Sequence, residues 1–186
     1  MKDTVQILFI QPDSNFSLLK NYLVLIDTSF LIDAYNFKQA FSTVLSGLKK
    51  SGCSLMAIDA VFYEFIQGRK SLVEYNRRLT FYDAAIEATL PIDAHIVESV
   101  IKLSKALLTR GSHISYTDCL QLATLIRFED PHVVLLSKDR SDIPTTLFPI
   151  KMTINVDTGQ NNCAFSVYGF DRRRYADRLQ EVLQIK

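Results

Sequence analysis

Three short, mainly apolar runs, residues 22–26, 54–58 and 132–136, predict strands, and the first of them is uninterrupted, as expected for a strand buried on both faces. Strands of this kind occur in parallel sheets, because helices cover both faces of such sheets. Stretches with polar and apolar positions at helical spacing separate the three runs. This alternation predicts βαβ units and an α/β fold, in which a central parallel sheet carries helices on both faces.

The predicted helices occupy most of the chain between these strands. Apolar residues recur every three or four positions in segments 37–50, 61–66 and 96–108, and segments 71–88 and 115–127 are also predicted to be helical. Asp59, directly after the second strand, is predicted to cap the helix that follows it. Arg77 and Arg78 are predicted to be exposed on the more polar helix.

The C-terminal part has a different pattern. Apolar segments 151–156 and 164–168 flank the turn-prone sequence Asp-Thr-Gly-Gln-Asn-Asn, which predicts a β-hairpin. An amphipathic helix is predicted for residues 172–185, with Asp171 as its cap. We therefore expect one domain, 1–186, with a core at about 20–150 and a hairpin-and-helix extension at 151–186.

Composition narrows the class of protein. A chain of 186 residues with 48% hydrophobic residues suits one globular domain. The net charge of +1 gives no general attraction to polyanions, so such a partner would need a local basic patch or metal ions. The three cysteines are isolated, which disfavours a disulfide framework or a thiolate metal site and favours a cytoplasmic protein. Segment 5–10 is too short to span a bilayer, so no membrane partner is expected.

Acidic residues follow the predicted strands or lie early in the helices after them. Asp27 directly follows the first run, where open α/β folds bind their ligands at the carboxyl edge of the sheet. Carboxylates that converge there repel one another unless protons or cations neutralise them. The candidates for this cluster are Asp27, Glu64, Asp118, Asp139 and Asp142.

Each of the first three acids also has a purely structural interpretation. Asp27 is a favoured residue for capping a turn, although Thr28 or Ser29 could cap equally well. Glu64 lies on the apolar side of its helix, where it needs a partner; a salt bridge to Arg69 or a position at the edge of the apolar stripe would explain it. Asp118 stands three residues after Ser115, as in a capping box.

The fourth acid is ambiguous. Asp139 and Asp142 share a loop with Lys138 and Arg140 directly after the third predicted strand. A charged loop is usually a solvated turn, but its place after a buried strand favours a functional role. Asp139 is the first candidate and Asp142 the second.

These segments together resemble a PIN-domain nuclease. The resemblance covers residues 22 to 150, and its motifs are short but occur in the expected order and hydrophobic context. They are Leu-Ile-Asp27-Thr28-Ser29, Phe-Tyr-Glu64-Phe, Thr-Asp118-Cys-Leu-Gln-Leu-Ala and Leu-Ser-Lys-Asp139. The resemblance implies a three-layer PIN-like fold and a nuclease that cleaves RNA with a divalent metal, as the toxins of bacterial toxin–antitoxin pairs do.

Oxygen ligands without histidine or cysteine select Mg²⁺ or Mn²⁺. The resemblance implies that Asp27 and Asp118 bind the metal directly. It implies that Glu64 and Asp139 bind the metal through water or hold the attacking water. Thr28 and Ser29 are secondary candidates that would supply hydroxyl groups around the metal. All four acids are thus the predicted catalytic and metal-binding residues.

The sequence departs from the PIN pattern in three ways. Asp142-Ile143 stands where the family commonly has Asp-Phe, Cys119 replaces a small residue, and the C-terminal extension exceeds the compact toxin plan. The main alternative is therefore a catalytically silent PIN-like module that binds nucleic acid or protein. A phosphoacceptor module is disfavoured, because it needs two adjacent acids after its first strand and Thr28 follows Asp27.

RNA is the expected partner by family analogy, and the sequence does not separate RNA from DNA. The cations that are candidate nucleic-acid contacts are Lys138, Arg140, Arg172, Arg173 and Arg174, with Arg69, Arg77 and Arg78 as further candidates. The three consecutive arginines oppose the dipole of the helix they begin, so phosphate binding would explain them, as would solvated charge or a partner acid. The resemblance also implies an antitoxin-like protein inhibitor, and the aromatic content permits a homodimer.

Overall fold

The structure, a computed structural model, describes residues 6–9, 16–67, 71–107, 114–130 and 132–184. Within these ranges, seven strands form one sheet. The strands are β1 (Gln6–Phe9), β2 (Leu23–Ile26), β3 (Ser54–Ile58), β4 (Ala88–Leu90), β5 (Val133–Ser137), β6 (Ile150–Asp157) and β7 (Asn162–Gly169). The helices are α1 (Thr28–Asn36), α2 (Lys38–Lys50), α3 (Asp59–Ile66), α4 (Leu72–Ala85), α5 (Ala94–Leu107), α6 (Tyr116–Phe128) and α7 (Arg172–Gln184).

The sheet is mostly parallel. Its strand order is β1-β6-β7-β5-β2-β3-β4, and only β7 runs against its two neighbours, β5 and β6. Alternate residues of the central strands enter two different cores: Val24 and Ile26 belong to one, and Leu25 belongs to the other. Both faces of the sheet are therefore covered, which confirms the predicted α/β class.

The C-terminal hairpin was predicted correctly, but it is part of the central sheet. Strand β7 pairs with β5 as well as with β6, and Leu136 lies opposite Val167. Phe165 is fully buried, with its ring centroid 5.0 Å from that of Phe30 and 5.7 Å from that of Phe41. Because β7 covers the edge of β5 with backbone hydrogen bonds, the hairpin completes the core of the protein.

Several local features differ from the sequence-based expectations. Helix α1 begins directly after Asp27, where only a turn was expected, and the short strand β4 follows α4 in the segment expected to be helical to residue 88. Short elements such as these carry too few residues for a periodicity to be seen. Strand β1 was likewise not assigned from the sequence.

The prediction that Arg78 is exposed was wrong. Its guanidinium donates to the Phe65 carbonyl at 2.7 Å and to Glu74 Oε1 at 3.3 Å, and it lies over the ring of Tyr35. These contacts replace the water molecules that the guanidinium group loses when it is buried. Arg78 is therefore a buried structural residue rather than part of a solvent-facing basic surface, whereas Arg77 is exposed as predicted.

The cap assignments had mixed outcomes. Ser115 and Asp171 cap α6 and α7 as predicted, since they accept hydrogen bonds from the backbone N–H groups of Asp118 and Arg174. Asp59 does not cap α3: it is the first helical residue, and its Oδ2 accepts from the Ile92 N–H at 3.2 Å.

Every helix in the described ranges is either too short or too polar to span a lipid bilayer.

Candidate functional site

The predicted acids come together at the carboxyl edge of the sheet. Strands β2 and β5 are parallel neighbours with Ile26 opposite Leu136, so Asp27 and Asp139 leave the sheet side by side. Glu64 lies on α3, which starts at the end of β3, the other neighbour of β2. Asp118 lies in the first turn of α6.

Asp27 is held by a dense set of hydrogen bonds, and its side chain is only 4% exposed. Its Oδ1 accepts from the Thr28 N–H at 2.7 Å and from Gln121 Nε2 at 2.9 Å. Its Oδ2 accepts from the Ser137 hydroxyl at 2.8 Å and from both the N–H and the hydroxyl of Ser29. Asp27 is therefore the N-cap of α1, and the capping interpretation of this residue is confirmed.

Glu64 is held by two threonines from different helices. Thr28 Oγ1 donates to Glu64 Oε2 at 2.8 Å, and Thr117 Oγ1 donates to Glu64 Oε1. The carboxylate thus connects the first turns of α1 and α6 to α3. Arg69, the alternative partner suggested by the sequence, lies outside the described residues.

Asp118 is buried beside other carboxylates. Its Oδ2 accepts from the Ser115 hydroxyl at 2.6 Å, and Ser115 Oγ accepts in turn from the Asp118 N–H at 3.1 Å. The pKa of Asp118 is raised to about 6: burial is the largest cause, the Ser115 hydrogen bond opposes the rise, and the charges of Asp27, Asp139 and Asp142 add to it. Ionisation of Asp118 is therefore less favourable in the folded protein than in water.

The loop after β5 brings both candidate fourth acids near the others. Burial raises the pKa of Asp139, and the charges of Asp27 and Asp142 add to this effect while Lys138 opposes it. The Asp139 N–H donates to the Ser137 hydroxyl at 3.0 Å, and its carbonyl accepts from the Tyr168 hydroxyl at 2.8 Å. The backbone of Asp139 is thus anchored to β5 and β7, and Asp142 adds negative charge nearby.

The donor atoms of this site suit a hard divalent cation, but they are not assembled as a coordination shell. Among the described residues, no three His, Cys, Asp or Glu side chains are grouped so as to hold a metal ion. The reason is visible at Asp27 and Glu64, whose oxygens already accept hydrogen bonds from hydroxyl and amide donors. Metal binding would require Asp27 to exchange one of these bonds for a bond to the cation.

The main candidate basic residues lie in two places. Lys138 is next to Asp139, and its Nζ is 3.0 Å from Asp33 Oδ2, while Arg140 is exposed on the same loop. The arginines at 172–174 follow β7. The pairing of β7 with β5 runs from Ser166, opposite Ser137, to Gly169, opposite Val134, so β7 ends near the start of β5. These arginines therefore begin α7 at the other edge of the sheet from the acids.

Two of these arginines have acidic partners at that edge. Arg172 pairs with Glu129 at 3.1 Å and Arg174 with Asp171 at 3.2 Å. Partner acids therefore account for Arg172 and Arg174, which was one of the explanations of the arginine run that the sequence left open. The structure does not bring the run together with the acidic site.

Sequence reasoning missed three polar residues that organise the acids: Thr117, Gln121 and Ser137. Thr117 and Gln121 are four residues apart and lie on one face of α6, where they contact Glu64 and Asp27 respectively. Their spacing in a helix rich in apolar residues could have marked a polar face of α6, but it does not show which acids this face contacts. Ser137 is the last residue of β5, and its buried hydroxyl had no comparable signal in the sequence.

Comparison with known proteins gives a likeness of fold. The sequence matches no family model and no curated protein. The structure is similar to a solved structure of VapBC2 from Rickettsia felis bound to a DNA fragment from the promoter, with a TM-score of 0.51 and 17% sequence identity. The match covers 57% of this chain and 83% of that chain. At this identity the likeness concerns the fold alone, and it agrees with the α/β architecture described above.

Proposed function

We propose that the acidic site is a Mg²⁺- or Mn²⁺-dependent phosphodiesterase site that cleaves single-stranded RNA. The observation that carries this proposal is the position of Asp118, which is buried within electrostatic range of Asp27, Asp139 and Asp142. A protein keeps several carboxylates together when a cation or a proton neutralises them. The fold likeness to VapBC2 and the order of the acidic motifs support the nuclease interpretation.

The residues of the site have distinct roles in this proposal. Asp27, Asp118 and Asp139 would hold the cation, with Asp142 adding charge and Glu64 positioned by its two threonines to orient water. A bound Mg²⁺ or Mn²⁺ supplies Lewis-acid stabilisation of the phosphodiester oxygens and a more acidic water. Gln121, Ser29 and Ser137 fix the orientation of the Asp27 carboxylate.

Cleavage of an end-labelled, unstructured RNA with Mn²⁺ tests the activity. The Asp118→Asn variant should cleave at least about 100-fold more slowly, since outer-shell residues of metal sites already cost 10–100-fold. Asp83→Asn is the matched control, because Asp83 is exposed on α4. Equal cleavage by Asp118→Asn and wild type would place the activity elsewhere and contradict the proposal.

Metal binding is tested separately by thermal unfolding at pH 7.5 with and without Mn²⁺. A ligand that binds only the folded protein stabilises it by about 2.7 kcal/mol at 100 times its dissociation constant. We expect Mn²⁺ to raise the Tm of wild type and Asp83→Asn, and to leave that of Asp118→Asn unchanged. No shift in any of the three proteins would contradict a metal site.

A second candidate is a catalytically silent PIN-like binding module. The observation that favours it is that both carboxylate oxygens of Asp27 accept hydrogen bonds from protein groups. Asp27 therefore has partners as a helix cap without a metal ion. In that case the Tm would not respond to Mn²⁺, and RNA would be retained without being cleaved. The two assays above therefore separate the two functions.

We also propose a protein inhibitor of the antitoxin kind as a partner, on the basis of the PIN resemblance and the likeness to VapBC2. Such a partner would suppress the cleavage in the first assay. Co-purification of the protein with the product of an adjacent gene, followed by the cleavage assay on the complex, tests this. Sedimentation of the purified protein alone tests for a homodimer.

A further inference from the structure

Two tyrosines beside the acidic site expose most of their side chains. Tyr63 on α3 is 61% exposed and Tyr116 on α6 is 71% exposed. Among the described residues, the other aromatic side chain with large exposure is Phe128, at 41%, at the far end of α6. Tyrosine is enriched at binding interfaces, because its ring is apolar and its hydroxyl group is polar.

The hydrogen bond between Thr117 and Glu64 joins the two chain segments that carry the tyrosines. Tyr63 immediately precedes Glu64, and Tyr116 immediately precedes Thr117. Consecutive Cα atoms are about 3.8 Å apart, so each tyrosine is anchored one residue away from this contact. Tyr116 is also only two residues from Asp118. Two exposed tyrosines therefore lie within one or two residues, along the chain, of the side chains that form the acidic site.

We propose that Tyr63 and Tyr116 bind unpaired bases of a single-stranded nucleic acid by stacking, while the adjacent phosphodiester lies at the acids. This inference rests on the proposed function and assigns the residues that would select its single-stranded substrate. Every base has a π-face, so stacking on tyrosine tolerates any sequence, and it requires bases that are free of a duplex. The tyrosines thus provide the affinity for single strands that an acidic site lacks, because carboxylates repel phosphates.

The absence of tryptophan from the chain allows a direct test. The Tyr116→Trp variant carries a single tryptophan at the proposed stacking position, and its fluorescence should be quenched when an unstructured RNA octamer binds. Phe128→Trp is the matched control on the same helix, about 18 Å away at 1.5 Å per residue. The titrations are made with Ca²⁺ in place of Mg²⁺ or Mn²⁺, so that a hard cation neutralises the acids while the ions assigned to cleavage are absent. We expect quenching in Tyr116→Trp and none in Phe128→Trp, with little response to the same sequence as a blunt duplex.

Affinities measured by anisotropy of a labelled octamer distinguish stacking from other contacts. Tyr116→Leu should bind roughly 5- to 150-fold more weakly, the range expected for loss of one stacked base. Tyr116→Phe should bind like wild type, because the ring is kept. Equal losses for Tyr116→Leu and Tyr116→Phe would indicate a hydroxyl contact and would overturn the stacking proposal.

The outcomes separate this inference from the proposed function. If wild type cleaves RNA but Tyr116→Trp is not quenched and Tyr116→Leu binds normally, the stacking inference is wrong and the nuclease proposal stands. If the protein neither binds the octamer nor cleaves RNA, both are wrong. Equal quenching by the octamer and the duplex would also overturn the assignment of unpaired bases.

Discussion

The side-chain amide of Gln121 donates a hydrogen bond of 2.9 Å to Asp27 Oδ1, which connects α6 to the end of β2 across 94 residues of sequence. Gln121 is 1% exposed, and its Oε1 is buried without a hydrogen-bond partner in the described part of the chain. A buried amide with one unpaired oxygen is costly to retain. Its contact with Asp27 indicates that it positions the carboxylate and helps to hold the two elements together.

Replacing Gln121 with Ala should lower the free energy of unfolding by about 1–3 kcal/mol, because Asp27 loses a buried donor. Urea unfolding measures this loss. Gln39→Ala is the control, since Gln39 is exposed on α2 and its replacement should change stability by no more than about 0.5 kcal/mol. Equal stability of the two variants would show that the Gln121–Asp27 bond contributes nothing to the fold.

Thr117 and Glu64 should be energetically coupled. Thr117→Val removes the hydroxyl donor while keeping the shape of the side chain, and a double-mutant cycle with Glu64→Gln should give a coupling energy of about 0.5–3 kcal/mol. Thr80→Val provides the control, because the Thr80 hydroxyl donates to the Asn76 carbonyl on an exposed face of α4. The cycle of Thr80→Val with Glu64→Gln should be additive to within about 0.5 kcal/mol. A coupling as small as that of the control would contradict the role of Thr117 in holding Glu64.

Protonation of Asp118 should make the stability depend on pH in a defined window. The pKa of Asp118 is about 6 in the folded protein, and the ordinary pKa of an aspartate is 3.8, so the folded protein binds this proton more tightly than the unfolded chain does. The resulting stabilisation is complete below the ordinary pKa, and it is lost as the pH rises through the folded pKa. Without metal, stability should therefore fall between about pH 4 and pH 6, the two pKa values, for this group.

The Asp118→Asn variant carries no charge at any of these pH values, and its amide oxygen can still accept from Ser115. In EDTA at pH 7.5 its Tm should exceed that of wild type by roughly 2–4 °C, the shift that corresponds to 1 kcal/mol in a chain of this size. At pH 4 the two proteins should melt together, and Asp83→Asn should follow wild type throughout. A lower Tm for Asp118→Asn at pH 7.5 would contradict the electrostatic cost assigned to Asp118.

Phe165 tests whether the C-terminal hairpin completes the core. Phe165→Ala should cost about 3–5 kcal/mol, as expected for a fully buried phenylalanine that packs on two other rings. Phe128→Ala, at a partly exposed position, should cost about 1 kcal/mol or less. Urea unfolding of both variants measures the difference. If Phe165→Ala were no more costly than Phe128→Ala, the hairpin would be a dispensable addition to a core at 20–150.

The features that the sequence revealed depend on local patterns. Strands β2, β3 and β5 are mainly apolar because most of their residues are buried on one face of the sheet or the other, and the helices between them show their buried faces through residue spacing. Asp27 and Asp118 could be identified because each stands at the boundary of such an element, where caps and ligands both occur. Arg78 was misassigned because periodicity reports the face of a helix and not the depth at which a long side chain finds partners.

The amino-acid sequence by itself determined the α/β class, the hairpin and the acids at the ends of strands, since each follows from residues that are close in the chain. Only the tertiary structure decided that β7 lies between β5 and β6, that the arginines at 172–174 are at the opposite edge from the acids, and that Gln121 and Thr117 hold Asp27 and Glu64. These relationships join residues far apart in the chain. They arise from the packing of whole elements, and no local pattern of polar and apolar residues encodes them.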